Sequence, residues 1–81
     1  MGRKGLSKTC CKAIVNMYKN FENKHFNFAD IDVNARKFIN PLISHGHLFK
    51  IEKSKYFITQ DGIRYSKLAI SWGEDGKYEG V

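Results

Sequence analysis

The chain has 81 residues, 42% of them hydrophobic and 14% aromatic, with 14 Lys+Arg against 8 Asp+Glu and a formal net charge of +6. That length holds one domain around one apolar cluster, and the composition is too rich in large apolar side chains for a disordered polymer. No run approaches the ~18 consecutive apolar residues of a membrane span, and no apolar stretch follows the basic Met1-Gly2-Arg3-Lys4-Gly5, so neither a membrane partner nor a cleaved signal peptide is expected.

Residues 1–6 read as a basic tail. Ser7 or a neighbour can cap a first helix, whose apolar positions Cys11, Ile14, Val15, Tyr18 and Phe21 trace one helical stripe. Lys8, Lys12, Asn16 and Lys19 fall on the opposite side and give the helix a basic outer face. Asn20 and Asn23 mark its fraying end. Cys10 and Cys11 are the only cysteines and, being adjacent, cannot staple distant loops. They point to a reducing, cytoplasmic setting. A Cys-Cys pair with His45-x-His47 matches no structural zinc spacing, so no metal and no cofactor is expected.

Asn27 can cap a very short second helix with Phe28 and Ile31 turned inward. Asp32 then caps a third helix, to His45, whose inward set is Ala35, Phe38, Ile39, Leu42 and Ile43. Gly46 stands where a glycine of positive φ ends a helix. Pro41 conflicts with an uninterrupted helix, because it lacks the N–H and its ring clashes with the carbonyl four residues back. A kink or local break is expected there.

After Gly46 the pattern turns extended. His47-Leu48-Phe49-Lys50-Ile51-Glu52 and Tyr56-Phe57-Ile58-Thr59 flank a polar turn, Lys53-Ser54-Lys55, and read as a hairpin with a doubly basic tip. Thr59 can cap a last helix, Gln60 to about Ile70, with Ile63, Leu68 and Ile70 as its apolar contacts. Gly62 in its first turn implies a close approach to another element. Residues 71–81 form a loose tail or, with Asp75-Gly76 as the turn, a small hairpin. The expected core includes Ile14, Val15, Tyr18, Phe28, Ile31, Phe38, Leu42, Ile43, Leu48 and Ile58.

Charge follows the same order. Residues 1–26 carry Arg3, Lys4, Lys8, Lys12, Lys19 and Lys24 against Glu22, whereas residues 56–81 carry Arg64, Lys67 and Lys77 against Asp61, Glu74, Asp75 and Glu79. A basic face directed at a polyanion, with a near-neutral tail held away from it, accounts for this asymmetry.

The run Phe38-Ile39-x-x-Leu42-Ile43-Ser44-His45-Gly46-His47-Leu48, followed by the charged hairpin and Tyr56-Phe57-Ile58-Thr59-x-x-Gly62, resembles winged helix-turn-helix domains of small prokaryotic, archaeal and phage or viral regulators. The resemblance covers about residues 7–70. It implies an α/β, mostly α fold with a three-helix core, a β-hairpin wing and a C-terminal helix. It also implies double-stranded DNA as partner, bound specifically or semi-specifically by a small transcriptional regulator. The helix opened by Asp32 would enter the major groove and the wing would touch the backbone. Pro41 and the very short second helix depart from the pattern.

Under that reading the contact residues are Asn34, Arg36, Lys37, Asn40 and Ser44 on the helix, with Lys53 and Lys55 on the wing. Arg matches guanine and Asn matches adenine in bidentate geometry, while lysines suit phosphates. Lys8, Lys12 and Lys19 add a further basic face. A homodimer, joined through helix 1 and the segment after Leu68, would span two half-sites. Two other readings stand beside it. Trp72 and Tyr78 could anchor a protein partner. The basic face also permits RNA, though the strands show no paired aromatic platform for stacking bases. An enzyme is not expected, because there is no phosphate loop, nucleophile elbow or carboxylate pair in a recognisable context.

Overall fold

Helix α1 (Lys8–Phe21) is the hub of the chain, packed by elements on two sides. The computed structural model describes residues 8–76; Ser7, the 1–6 tail and residues 77–81 lie outside the described residues. The described chain is a small mixed α/β domain, mostly helical. After α1 come strand β1 (Phe26–Asn27) and two 3-10 turns, Phe28–Asp30 and Arg36–Phe38. Then follow α2 (Ile39–Ser44), strands β2 (Leu48–Glu52) and β3 (Lys55–Ile58), and α3 (Gln60–Ser71). The sheet is antiparallel in the order β1-β3-β2.

The buried surface of α1 is wider than one stripe. Cys10, Ala13 and Met17 are buried as well as Cys11, Ile14 and Val15, because α3 covers one side while β3, α2 and the Arg36–Phe38 turn cover the other. Its basic outer face is correspondingly narrow. Lys8 and Lys19 are exposed, but Lys12 and Asn16 are half-buried. The chain beyond α3 returns over this side, and the Asn16 Nδ2 donates to the Gly76 carbonyl at 2.9 Å. The part of the expected tail up to Gly76 is therefore packed on α1.

Helix α3 packs through small residues. Gly62, Ser66 and Ala69 recur at four and three residues and are its buried positions. Ser66 Oγ donates to the Ile14 carbonyl at 3.5 Å, so the two helices approach closely. Leu68 and Ile70, expected as apolar contacts, lie off that stripe and are exposed, while Ile63 is half-buried. The approach expected at Gly62 is tight: a Cβ there would stand 2.2 Å from the His47 carbonyl oxygen and 2.6 Å from Ile58 Cγ2.

Two further expectations need correction. Phe28 is 40% exposed rather than inward, although Ile31 is buried. A 3-10 turn puts residues three apart on one face, but Ile31 lies beyond the turn in extended backbone and points the other way. In the hairpin Leu48 and Ile58 pair and are buried, as expected, and Phe49 and its partner Phe57 face outward; what differs there is the turn. The hairpin turn itself is Lys53-Ser54. Lys55 is the first residue of β3, paired with Asn27 and Glu52 and half-buried, and so is not at the tip. No helix among the described residues is long and apolar enough to cross a membrane.

Candidate nucleic-acid interface

The residues before α2 wind in three stages. Asp32 opens a turn, with its Oδ1 accepting the Asn34 N–H at 2.9 Å and its carbonyl accepting the Ala35 and Arg36 N–H groups. Residues Arg36–Phe38 follow as a 3-10 turn, and α geometry begins at Ile39. Pro41 explains the order. Its ring would clash with the Lys37 carbonyl in a continuous α-helix, whereas as third residue of α2 its missing N–H is one that a helix start leaves unpaired. The break expected near Pro41 thus lies on its N-terminal side. At the other end, Gly46 at φ +79° completes the stop: its N–H reaches the Ile43 carbonyl and the His47 N–H reaches the Leu42 carbonyl.

This winding sorts the helix residues expected at the interface. Lys37, Asn40 and Ser44 are exposed, separated by three and four residues. Asn34 is half-buried in the Asp32 turn. Arg36 is turned back on the protein. Its Nε donates to the Ile31 carbonyl at 3.0 Å, its Nη2 donates to the Ala29 carbonyl at 3.2 Å, and its guanidinium sits 4.8 Å above the Phe28 ring. Arg36 and Asn40 therefore do not project together from one face.

Arg36 also links α2 to the hairpin. Phe28, beneath its guanidinium, donates its backbone N–H to the Ser54 carbonyl at 2.8 Å. Asp30 steadies the same turn by accepting the Asn27 N–H at 3.1 Å. The hairpin turn, with Lys53 exposed, is thereby fixed beside the entry to α2. At the opposite end of the hairpin Thr59 joins α2 to α3. Its Oγ1 accepts the Gly62 N–H at 3.0 Å, as expected of a cap, and also donates to the Gly46 carbonyl at 2.6 Å.

A second region lies at the C-terminal end of α3. Trp72 is 63% exposed and meets Tyr65 edge-on at 6.0 Å; Tyr65 stacks on His47 at 4.9 Å. With Lys8, Cys11, Gly73 and Glu74 these two aromatics line an open cleft of about 480 Å³. Both cysteines are buried thiols outside any disulfide, and their pKa is raised, chiefly by burial. His47 is pushed the other way, its pKa lowered by burial first and by His45 second, against a smaller opposing pull from Asp61. Its Nδ1 is buried without a hydrogen-bond partner among the described residues. Tyr78, the second aromatic expected as a partner anchor, lies outside the described residues. No group of three or more potential metal ligands occurs among the described residues.

The sequence reading missed the outward aromatics. Phe49 and Phe57 pair across β2 and β3 with ring centroids 5.3 Å apart, and His25 lies 5.5 Å from Phe57. The signal that finds them is the strand phase fixed by Leu48 and Ile58. Comparison with known protein families, curated proteins and solved structures finds no match for this chain.

Proposed function

We propose that this chain is a winged helix-turn-helix domain that binds double-stranded DNA, with α2 lying in the major groove and the β2–β3 hairpin on the adjoining backbone. The observation that carries the reading is the tie from α2 to the hairpin: Arg36 covers Phe28, and Phe28 holds Ser54. On this reading Lys37, Asn40 and Lys53 belong to one preformed surface, which that tie supports. Asn40 offers an amide that can pair with an adenine edge, and the two lysines supply compact charges for phosphates. Arg36 acts as a positioning residue in this scheme. The element order and the excess of lysines support the same reading.

A single α2 of six residues offers few base contacts. Assembly as a homodimer across two half-sites would raise discrimination, and the exposed Leu68, Ile70 and Trp72 at the end of α3 are the apolar residues suited to that contact. A role as a small transcriptional regulator accords with such binding.

Selection from a randomised duplex pool tests the proposal. The wild-type chain should enrich a preferred site, and Asn40→Ala should flatten the preference at one base pair while still binding the pool. Retention of no duplex above background would reject it.

A further inference from the structure

We infer that the outer face of the three-stranded sheet is a second nucleic-acid site, which takes unpaired bases of a single strand on the row His25–Phe57–Phe49. This goes beyond the duplex reading and uses a different face from α2. The sheet has two faces: Phe26, Leu48, Tyr56 and Ile58 are buried, with exposed Lys50 at the edge of their face, whereas Asn27, Lys55, Phe57 and Phe49 alternate with them on the other side. Phe49 is 53% exposed. The row crosses the sheet with centroid spacings of 5.5 and 5.3 Å and tilts of 36° and 50°, between exposed His25 and half-buried Phe57 and between Phe57 and Phe49.

Charge selects the occupant. Lys24 precedes His25, and Lys55 shares the face of Phe57 two positions along β3, about 7 Å away. Lys53 stands at the turn, and Glu52 is the cross-strand partner of Lys55. A second copy laid on this face would bring like-charged lysines together, whereas a single strand brings one phosphate for each base it stacks. Aromatic rings flanked by cations are the elements of sequence-tolerant single-strand binding.

The test is fluorescence anisotropy with three labelled probes: an oligothymidylate of about twelve nucleotides, the matching oligouridylate, and a duplex spanning two helical turns. Phe49→Leu keeps apolar bulk at an exposed position but removes the stacking surface; Phe49→Trp keeps it. The wild-type chain should bind both single strands. Phe49→Leu should weaken that binding by about 5- to 150-fold and leave the duplex affinity unchanged. Phe49→Trp should restore it. Preference for one single strand over the other identifies the source as DNA or RNA and supports the site either way. No single-strand binding by the wild-type chain, or equal binding by Phe49→Leu, would overturn the proposal. So would a dimer in sedimentation that Phe49→Leu disperses, since the face would then belong to a second copy. Loss of duplex binding alone would count against α2 and leave the sheet site standing.

Discussion

Gly62→Ala sets two opposing effects against each other. An alanine in a helix is favoured over glycine by about 0.8–1.0 kcal/mol, so propensity alone predicts a more stable protein. The added Cβ, however, would stand 2.2 Å from the His47 oxygen and 2.6 Å from Ile58 Cγ2, well inside contact distance. Neither neighbour is free to retreat. The His47 carbonyl accepts the Thr59 N–H at 3.1 Å, and the His47 N–H is held by the Leu42 carbonyl at 2.9 Å. Ile58 is buried on the core side of β3. Overpacking of this kind costs about 1–3 kcal/mol, and the displaced Thr59–His47 hydrogen bond adds about 1 kcal/mol. Set against the propensity gain, the net is about 1–3 kcal/mol of destabilisation, and each kcal/mol lowers Tm by about 4–8 °C in a domain of this size. Thermal unfolding followed by circular dichroism measures it. A Tm equal to or above that of the wild-type chain would refute the close approach of α3 to the start of β2.

Three other perturbations read single residues. Thr59→Val removes both side-chain hydrogen bonds while keeping the shape, and should cost about 1 kcal/mol in denaturant unfolding, with Thr59→Ser recovering most of it. Arg36→Lys should destabilise by about 1 kcal/mol, because an ammonium cannot hold the Ile31 and Ala29 carbonyls and cover Phe28 together; unchanged stability with lost base preference would instead make Arg36 a reading residue. His47 carries a folded-state pKa below 6.5. On acidification the unfolded chain takes up this proton first, so stability is full above about pH 6.5 and falls as pH drops below it, levelling off under the folded-state value. Urea titrations between neutral and mildly acidic pH should show that fall, and His47→Phe should remove it.

The parts of the fold that sequence makes visible are those set by local chemistry. Helix α1 announces itself by spacing, Gly46 by its position after an apolar run, and Thr59 and Gly62 by the demands of a cap and a close approach. What it hides depends on tertiary partners. The two-sided burial of α1 follows from α3 packing through Gly62, Ser66 and Ala69, and small residues leave no hydrophobic signature for a pattern search. Leu48 and Ile58 are legible as the inward residues, but that Phe49 and Phe57 meet on the outer face depends on the register in which β2 pairs with β3. At the candidate site Lys37, Asn40, Ser44 and Lys53 are exposed where spacing put them. Arg36 differs because the 3-10 winding ahead of Pro41 alters the angle between successive residues, and because carbonyls of the Ala29–Ile31 segment lie within its reach. Lys55 differs because β1, a strand of two residues too short to carry a pattern, draws it into the sheet.

The central claim is that α2 and the hairpin turn form one duplex-binding surface. Binding isotherms over a range of salt, on preferred and scrambled duplexes, test it most directly. Lys53→Ala should weaken both duplexes alike and reduce the slope of log K against log salt by about 0.9 in magnitude. Asn40→Ala should leave that slope intact and cost about 1–3 kcal/mol on the preferred duplex alone. Duplex binding whose affinity and salt slope are the same in the wild-type chain and in both variants would contradict the claim and move the contact to another face.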